Sequence, residues 1–317
     1  MENLIRLPHF TIGPNEVLFL NQYPYLKSNR TLNIEDHLDR KMLIDEGILI
    51  QKRKIEKGSP CGKKILVLEP HPDDFALSCS GSVLSKLKEG VDIEIMTLFT
   101  QFSLSTFPWR SLITISDSEY EKLRLTESRI AISNYLDITS TSSYLPSALK
   151  RDHSTAFGEL NLYDEKLIER CYPKIIEKAI SGKYSAIFAP LAIQHHLDHT
   201  ITFKIAKMIK QECKDITLIL YEDFPYARNK VAYAHRLNEV SSQMQVYPRY
   251  IYVDSSLEIM ADIASIYRSQ FDDINRSQML ALFREDTRSC TKEMKTSGFV
   301  VDGSHHQRVF EVGSVKK

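Results

Sequence analysis

From residue 64 onward, short apolar runs alternate with stretches in which apolar positions recur every three or four residues. KILVLEP, residues 64–70, is almost wholly apolar, the pattern of a strand buried on both faces of a parallel sheet. Beyond it Ala76, Leu77, Ser80, Val83, Leu84 and Leu87 share one helical face, and Gly90 stands where a helix C-cap belongs. VDIEIMTLFT (91–100) reads as the next strand. Helices are expected over about 117–135 and 164–180, the second with Pro173 as a kink. The strand SAIFAPLA, the amphipathic stretch 200–210, the strands ITLILYE and YIYVD, and the helix SLEIMADIASIY continue the alternation. This order implies an α/β fold, a Rossmann-like, mostly parallel sheet with helices on both faces. In such sheets chemistry collects at the carboxyl ends of the strands.

Residues 1–60 read differently. Asn33–Glu46 has the spacing of a short helix, with Ile34, Leu38 and Met42 on one face and Gly47 ending it. GILIQKRKIEKG then reads as a strand running into a basic turn, so this part is expected to be a small, winged-helix-like appendage. KIEKGSPCGK (54–63) has the composition of a linker. The expected division is therefore 1–60 and 61–317, with the appendage supplying no metal ligand.

Composition narrows the class. The chain has 317 residues, 43% apolar and 26% charged, which are globular values sufficient for a sizeable core. Lys plus Arg and Asp plus Glu both number 41, so no net charge draws the protein to phosphate backbones or anionic lipid. Nucleic-acid binding and a membrane span are not expected, and the MENLIRLPHF start lacks a signal-peptide pattern, so the expectation is a cytoplasmic protein. Self-association is left open. The cysteines (61, 79, 171, 213 and 290) are scattered without a CxxC pair, so any metal must be held by His, Asp or Glu.

Two polar clusters sit where a parallel sheet places its chemistry. His71-Pro72-Asp73-Asp74 follows KILVLEP, and His195-His196-Leu197-Asp198-His199 follows SAIFAPLA. Asp73 or Asp74 alone could simply cap a helix, and the histidines alone could be surface side chains. Together, at equivalent positions, they read as a metal site. Adjacent carboxylates are costly unless a cation neutralises them. Imidazoles beside carboxylates are the usual ligands of borderline metals, and two histidines, one carboxylate and a water make an open catalytic zinc site. A remaining carboxylate can then take a proton from the water.

These motifs resemble the PIG-L/LmbE-like family of zinc-dependent N-deacetylases. The stretch LEPHPDDFALSCSGSVLSKLKEG matches its first motif, with Phe75 where many members carry Glu, and HxDH matches a later one. Arg124-x-x-Glu127, Tyr221-Glu222-Asp223-Phe224-Pro225-Tyr226 and Tyr267-Arg268-Ser269-Gln270 follow in the family's order, so the similarity spans residues 64 to about 285. The resemblance implies one Zn²⁺, or another divalent ion in its place, bound by His71, Asp74 and His199. It implies Asp73 as general base, a protonated His196 stabilising the oxyanion, and Asp198 orienting a histidine. His195 has no role in it. The implied substrate is a small N-acylated molecule, an amino sugar.

Around these residues the sequence leaves alternatives. Glu127 shares the sheet-facing side of its helix, and Arg124 could pair with it at i,i+3 or meet substrate. Trp109 and Arg110, in the loop 101–116, and Tyr221, Asp223 and Tyr226, past a strand end, are candidate substrate contacts. A metallo-β-lactamase-like HxHxDH would need a histidine where Gln194 stands, and no GxGxxG supports nucleotide binding. Two readings remain: another mononuclear metallohydrolase (an amidase) acting on a non-sugar substrate, or a catalytically silent binding or accessory protein of the same fold.

Overall fold

The computed structural model describes residues 4–6, 41, 49–103, 116–151, 153–267, 269–271, 274–297, 301 and 303–315. Two short N-terminal strands, β1 (Leu4–Arg6) and β2 (Leu49–Gln51), pair antiparallel. Apart from Lys41, the helix expected over 33–46 lies outside the described residues, and so do Trp109 and Arg110.

The sheet behind the site has seven strands. They are β3 (Lys64–Glu69), β4 (Asp92–Gln101), β5 (Thr139–Pro146), β6 (Ala186–Pro190), β7 (Thr217–Tyr221), β8 (Met244–Tyr252) and β9 (His306–Val315). Their spatial order is β5-β4-β3-β6-β7-β9-β8. The first five run parallel and the last two are antiparallel additions. The four strands expected from KILVLEP, VDIEIMTLFT, SAIFAPLA and ITLILYE thus stand side by side.

Eight α-helices surround this sheet among the described residues. They are α1 (Asp74–Ser78), α2 (Ser80–Lys88), α3 (Asp117–Arg129), α4 (Leu162–Ser181), α5 (Leu197–Glu212), α6 (Lys230–Gln243), α7 (Leu257–Ala264) and α8 (Arg276–Thr296). The helix expected to run to residue 135 changes pitch at Ile130 and finishes as a π-helical turn, Ile130–Tyr135. Pro173 sits inside α4.

Alternation along β3 feeds two cores. Ile65 and Val67 pack with α1, α2 and α7, whereas Leu66 and Leu68 pack with α4 and α5 on the other face. That double burial is why the strand reads as continuously apolar. Residues 52–61 pack on α2 and α7: the Gly58 N–H donates to Leu87 O, and Arg53 Nε donates to Asp262 Oδ2 at 2.8 Å. Gly90, with φ +77°, ends α2 so close to this segment that a Cβ would lie 1.8 Å from Ser59 O. No helix of the described residues is long and apolar enough to cross a membrane.

Candidate metal centre

β3 and β6 are hydrogen-bonded neighbours, so the segments leaving their carboxyl ends meet. This is the position at which open α/β sheets bind ligands. The His71–Asp74 turn is held from below by Glu69, the last residue of β3. Its Oε2 accepts from Phe75 N (3.0 Å) and its Oε1 from Thr97 Oγ1 (2.6 Å). Glu69 is fully buried, and burial, outweighing these hydrogen bonds, pushes its carboxyl up to about 8. A lone acidic residue at the end of the apolar run ILVL was the available signal for it.

Neither aspartate serves as a side-chain cap for α1. Asp74 folds back so that Oδ2 accepts from His71 N (2.8 Å). The same oxygen lies 3.3 Å from His71 Nδ1 and 3.4 Å from His199 Nε2. Two ligands about 2.0–2.1 Å from one tetrahedral ion stand roughly 3.3–3.4 Å apart, so these separations fit a shared cation. The ligand atoms of all three residues lie within 4.8 Å of one another.

The far nitrogens of both rings meet carboxylates. His71 Nε2 donates to Asp198 Oδ2 (2.9 Å), and His199 Nδ1 donates to Asp223 Oδ1 (2.6 Å). Such partners fix ring orientation and leave the opposite nitrogen for a metal. Asp198 is saturated by His71, the Ala148 N–H and Arg151 Nη1. The overlapping group His71, His196 and Asp198 is therefore the poorer donor set, although its ligand atoms also lie within 4.8 Å of one another.

The charges agree with this choice. Burial alone would lower His71, but hydrogen bonds with Asp198 and Asp74 outweigh it and raise the imidazole to about 9. His199 is raised against its burial by the Asp74 charge and the Asp223 hydrogen bond. Asp74, despite burial, is lowered to about 2 by His199 and His71. The carboxylates here favour positive charge on the imidazoles, and a bound cation would take the place of those protons.

His196 caps the start of α5 and is 7% exposed. Its ring lies 5.0 Å from His71, 4.7 Å from His199 and 5.2 Å from Phe157. Burial and the adjoining His199 and His71 push it well below its ordinary value, and its Nδ1 has no hydrogen-bond partner. Both causes oppose the protonated imidazole expected from the sequence.

Asp73 faces Arg124, whose Nη2 donates to its Oδ1 at 2.5 Å. The guanidinium also stacks on Phe102, 4.0 Å from the ring centroid. The i,i+3 pairing of Arg124 with Glu127 is overturned because Arg124 is committed to Asp73. Glu127 instead accepts from Ser269 N (2.9 Å) and Oγ (2.6 Å), and burial pushes it up to about 8.

A cavity of about 280 Å³ opens over these groups. His71, Asp73, Asp74, His196 and Asp198 line it together with Phe102, Arg124, Tyr226, Gln270 and Phe271. Two of the expected substrate contacts are corrected. Tyr221 is fully buried behind the site, its hydroxyl donating to Leu68 O (3.1 Å). Asp223 is fully buried and spent on His199 and the Ile193 N–H. Both sit within or just past the buried end of β7, which points them inward. Tyr226 does reach the cavity wall. Arg151, which pairs with both Asp198 and Asp164, had no sequence signal because its partners are distant in the chain.

Residues 66–210 match the family model described as PIG-L, GlcNAc-PI de-N-acetylase. The fold is similar to that of a deacetylase in the biosynthesis pathway of teicoplanin (TM-score 0.64, 17% identity, 79% of this chain and 98% of that one). It is also similar to the A40926 pseudoaglycone deacetylase Dbv21 (TM-score 0.59, 21% identity, 78% and 96%). GalB, the 4-carboxy-2-hydroxymuconate hydratase of Pseudomonas putida KT2440, shares the fold at a TM-score of 0.52 and 9% identity over 80% and 98%. No curated protein matches the chain in sequence.

Proposed function

We propose that this chain, with its PIG-L family segment at residues 66–210, is a metal-dependent hydrolase that removes an N-acetyl or similar N-acyl group from an amino sugar. The observation that carries the reading is the placement of Asp74 Oδ2 at 3.3 and 3.4 Å from two imidazole nitrogens, each ring held from behind by a carboxylate, with a second carboxylate, Asp73, lining the same cavity. Two proteins that share the fold are described as deacetylases, one in teicoplanin biosynthesis and one of the A40926 pseudoaglycone, and this supports the acyl group and the substrate class.

His71, Asp74 and His199 would hold the ion, with Zn²⁺ the best match to two imidazoles and one carboxylate. When bound, it supplies Lewis acidity, easing ionisation of water and polarising the acyl carbonyl. Asp73 takes the proton of the attacking water as the C–O bond forms. It returns that proton to the nitrogen as the C–N bond breaks, giving a carboxylate and a free amine. Arg124 fixes the orientation of Asp73. His196 donates an N–H toward the carbonyl oxygen as negative charge develops there. Phe102, Tyr226 and Phe271 provide apolar wall for a sugar face, and Arg124 and Gln270 provide hydrogen bonds to its hydroxyls.

A screen of amine release from N-acetylglucosamine and its glycosides, with metal-free protein and with added Zn²⁺, tests the proposal. Metal-dependent release of the amine is expected. The hydratase that shares the fold supplies the second reading. Metal-dependent hydration of an unsaturated acid without any amide cleavage would favour it and overturn the first.

A further inference from the structure

His195 belongs to the second histidine cluster but takes no part in the site above. It leaves the turn on the opposite side, toward α6, where His235 and Glu239 occupy successive positions of one helical face. His195 Nε2 lies 3.3 Å from Glu239 Oε2, and His235 Nδ1 lies 3.5 Å from Glu239 Oε1. The two rings are 6.2 Å apart, and one ligand atom from each residue falls within 4.8 Å of the others.

We propose that His195, His235 and Glu239 form a second, surface site for a borderline divalent cation of the Zn²⁺ class. The two imidazoles approach different oxygens of Glu239, so the carboxylate faces both rings, and the three donors, all within 4.8 Å, can close on one tetrahedral ion. Two imidazoles select such an ion over Mg²⁺ or Ca²⁺, which take oxygen ligands. The side chains of His195 and Glu239 are part-exposed and that of His235 is exposed, so an ion can enter from solvent and keep water in its remaining positions. Arg236 also meets Glu239, through Oε2 at 3.2 Å, but its Nε is anchored separately on Leu191 O (2.8 Å). The guanidinium therefore keeps a partner when Glu239 turns to an ion.

The backbone gives the site a consequence. Ala192, Gln194 and His195 have φ of 62°, 62° and 54°, a left-handed conformation that non-glycine residues adopt only at a cost. Contacts from outside hold this turn: Asp223 accepts from Ile193 N, Gly158 N donates to His195 O, and Arg236 reaches Leu191 O. An ion joining His195 to α6 adds one more fastening to the turn that delivers His196. Occupancy should therefore raise the thermal midpoint and leave the reaction itself unaltered.

The test is Zn²⁺ binding to the metal-free full-length protein by calorimetry and equilibrium dialysis, beside His235→Ala. His235 is surface-exposed on α6 and outside the catalytic pocket, so its replacement spares the fold. Wild type should take up one equivalent more than His235→Ala, and Glu239→Gln should lose the same equivalent. Excess Zn²⁺ should raise the thermal midpoint of the wild type above that of the variant, and turnover with the tighter site filled should be equal. The difference in stoichiometry reads this site whether or not the protein proves to be a deacetylase. Equal uptake by wild type and His235→Ala at millimolar Zn²⁺ would overturn the proposal.

Discussion

Arg124 Nη2 lies 2.5 Å from Asp73 Oδ1 across 51 residues of sequence, and both side chains are buried in the wall of the cavity beside the candidate metal site. The pair joins α3 to the turn after β3. Arg124→Gln should leave Asp73 without its buried counter-charge, at a cost of about 3–5 kcal/mol. Turnover should fall while metal content holds, because no ligand is touched. Denaturant unfolding alongside metal analysis checks it, and loss of metal in the folded variant would contradict it.

Asp73 and Asp74 should separate by phenotype. Asp73→Asn should keep its metal and lose about 10²–10⁴-fold in turnover, the usual worth of a positioned general base. Asp74→Asn should instead lose metal affinity, with part of its activity restored by excess Zn²⁺. Reversal of the two behaviours, in paired turnover and metal measurements, would exchange their roles.

The carboxylates behind the imidazoles should tune affinity without meeting the ion. Asp223→Asn should weaken metal binding about 10–100-fold by freeing His199 to rotate. Asp198→Asn should do likewise and also weaken the hold on buried Arg151, so it should be the less stable of the two. Competition against a chelator gives the affinities, and equal unfolding midpoints would remove the distinction.

Glu127 should give stability a pH slope. Its carboxyl ordinarily titrates near 4.5, and burial pushes it up to about 8 in the folded protein. Between those values the unfolded chain has released a proton that the folded chain retains. Stability contributed by the protonated form is therefore complete below about 4.5 and is lost as pH rises toward about 8. Glu127→Gln should flatten this dependence relative to wild type. Parallel denaturation profiles for the two proteins across that window would exclude it.

Gly90→Ala should destabilise without touching the site. The new Cβ would meet Ser59 O at 1.8 Å on a backbone with φ +77°, so a loss of about 1–3 kcal/mol is expected from strain alone. Metal uptake by the folded protein should be unchanged, because residues 58–61 carry no ligand. A thermal midpoint equal to wild type would show that this close approach is relieved at no cost.

The parallel half of the fold was legible because β3, β4, β6 and β7 are buried on both faces and so appear as apolar runs. β5 was not, because TSTSSYLP is a polar edge strand whose residues are mostly exposed or half-buried. β9 and α8 went unread because the family-like motifs end before them. At the site, the histidines and aspartates that face the cavity were visible as two short clusters. Their partners were not: Arg124, Arg151 and Asp223 gain their meaning from contacts that only the folded chain creates. Tyr221 and Asp223 misled because proximity to a strand end says nothing about which way a side chain turns.

The two outer strands of the sheet, β5 and β8, bear on how the molecule behaves at high concentration. An uncovered strand edge invites pairing with another chain, and proline or charge on it discourages that. β5 ends in Pro146 after a left-handed Tyr144 (φ 53°), which interrupts its ladder. β8 carries Pro248 and Arg249 at its middle. Neither edge offers a long, regular row of donors and acceptors. Growth of this seven-stranded sheet from one molecule into the next is thereby disfavoured at both ends.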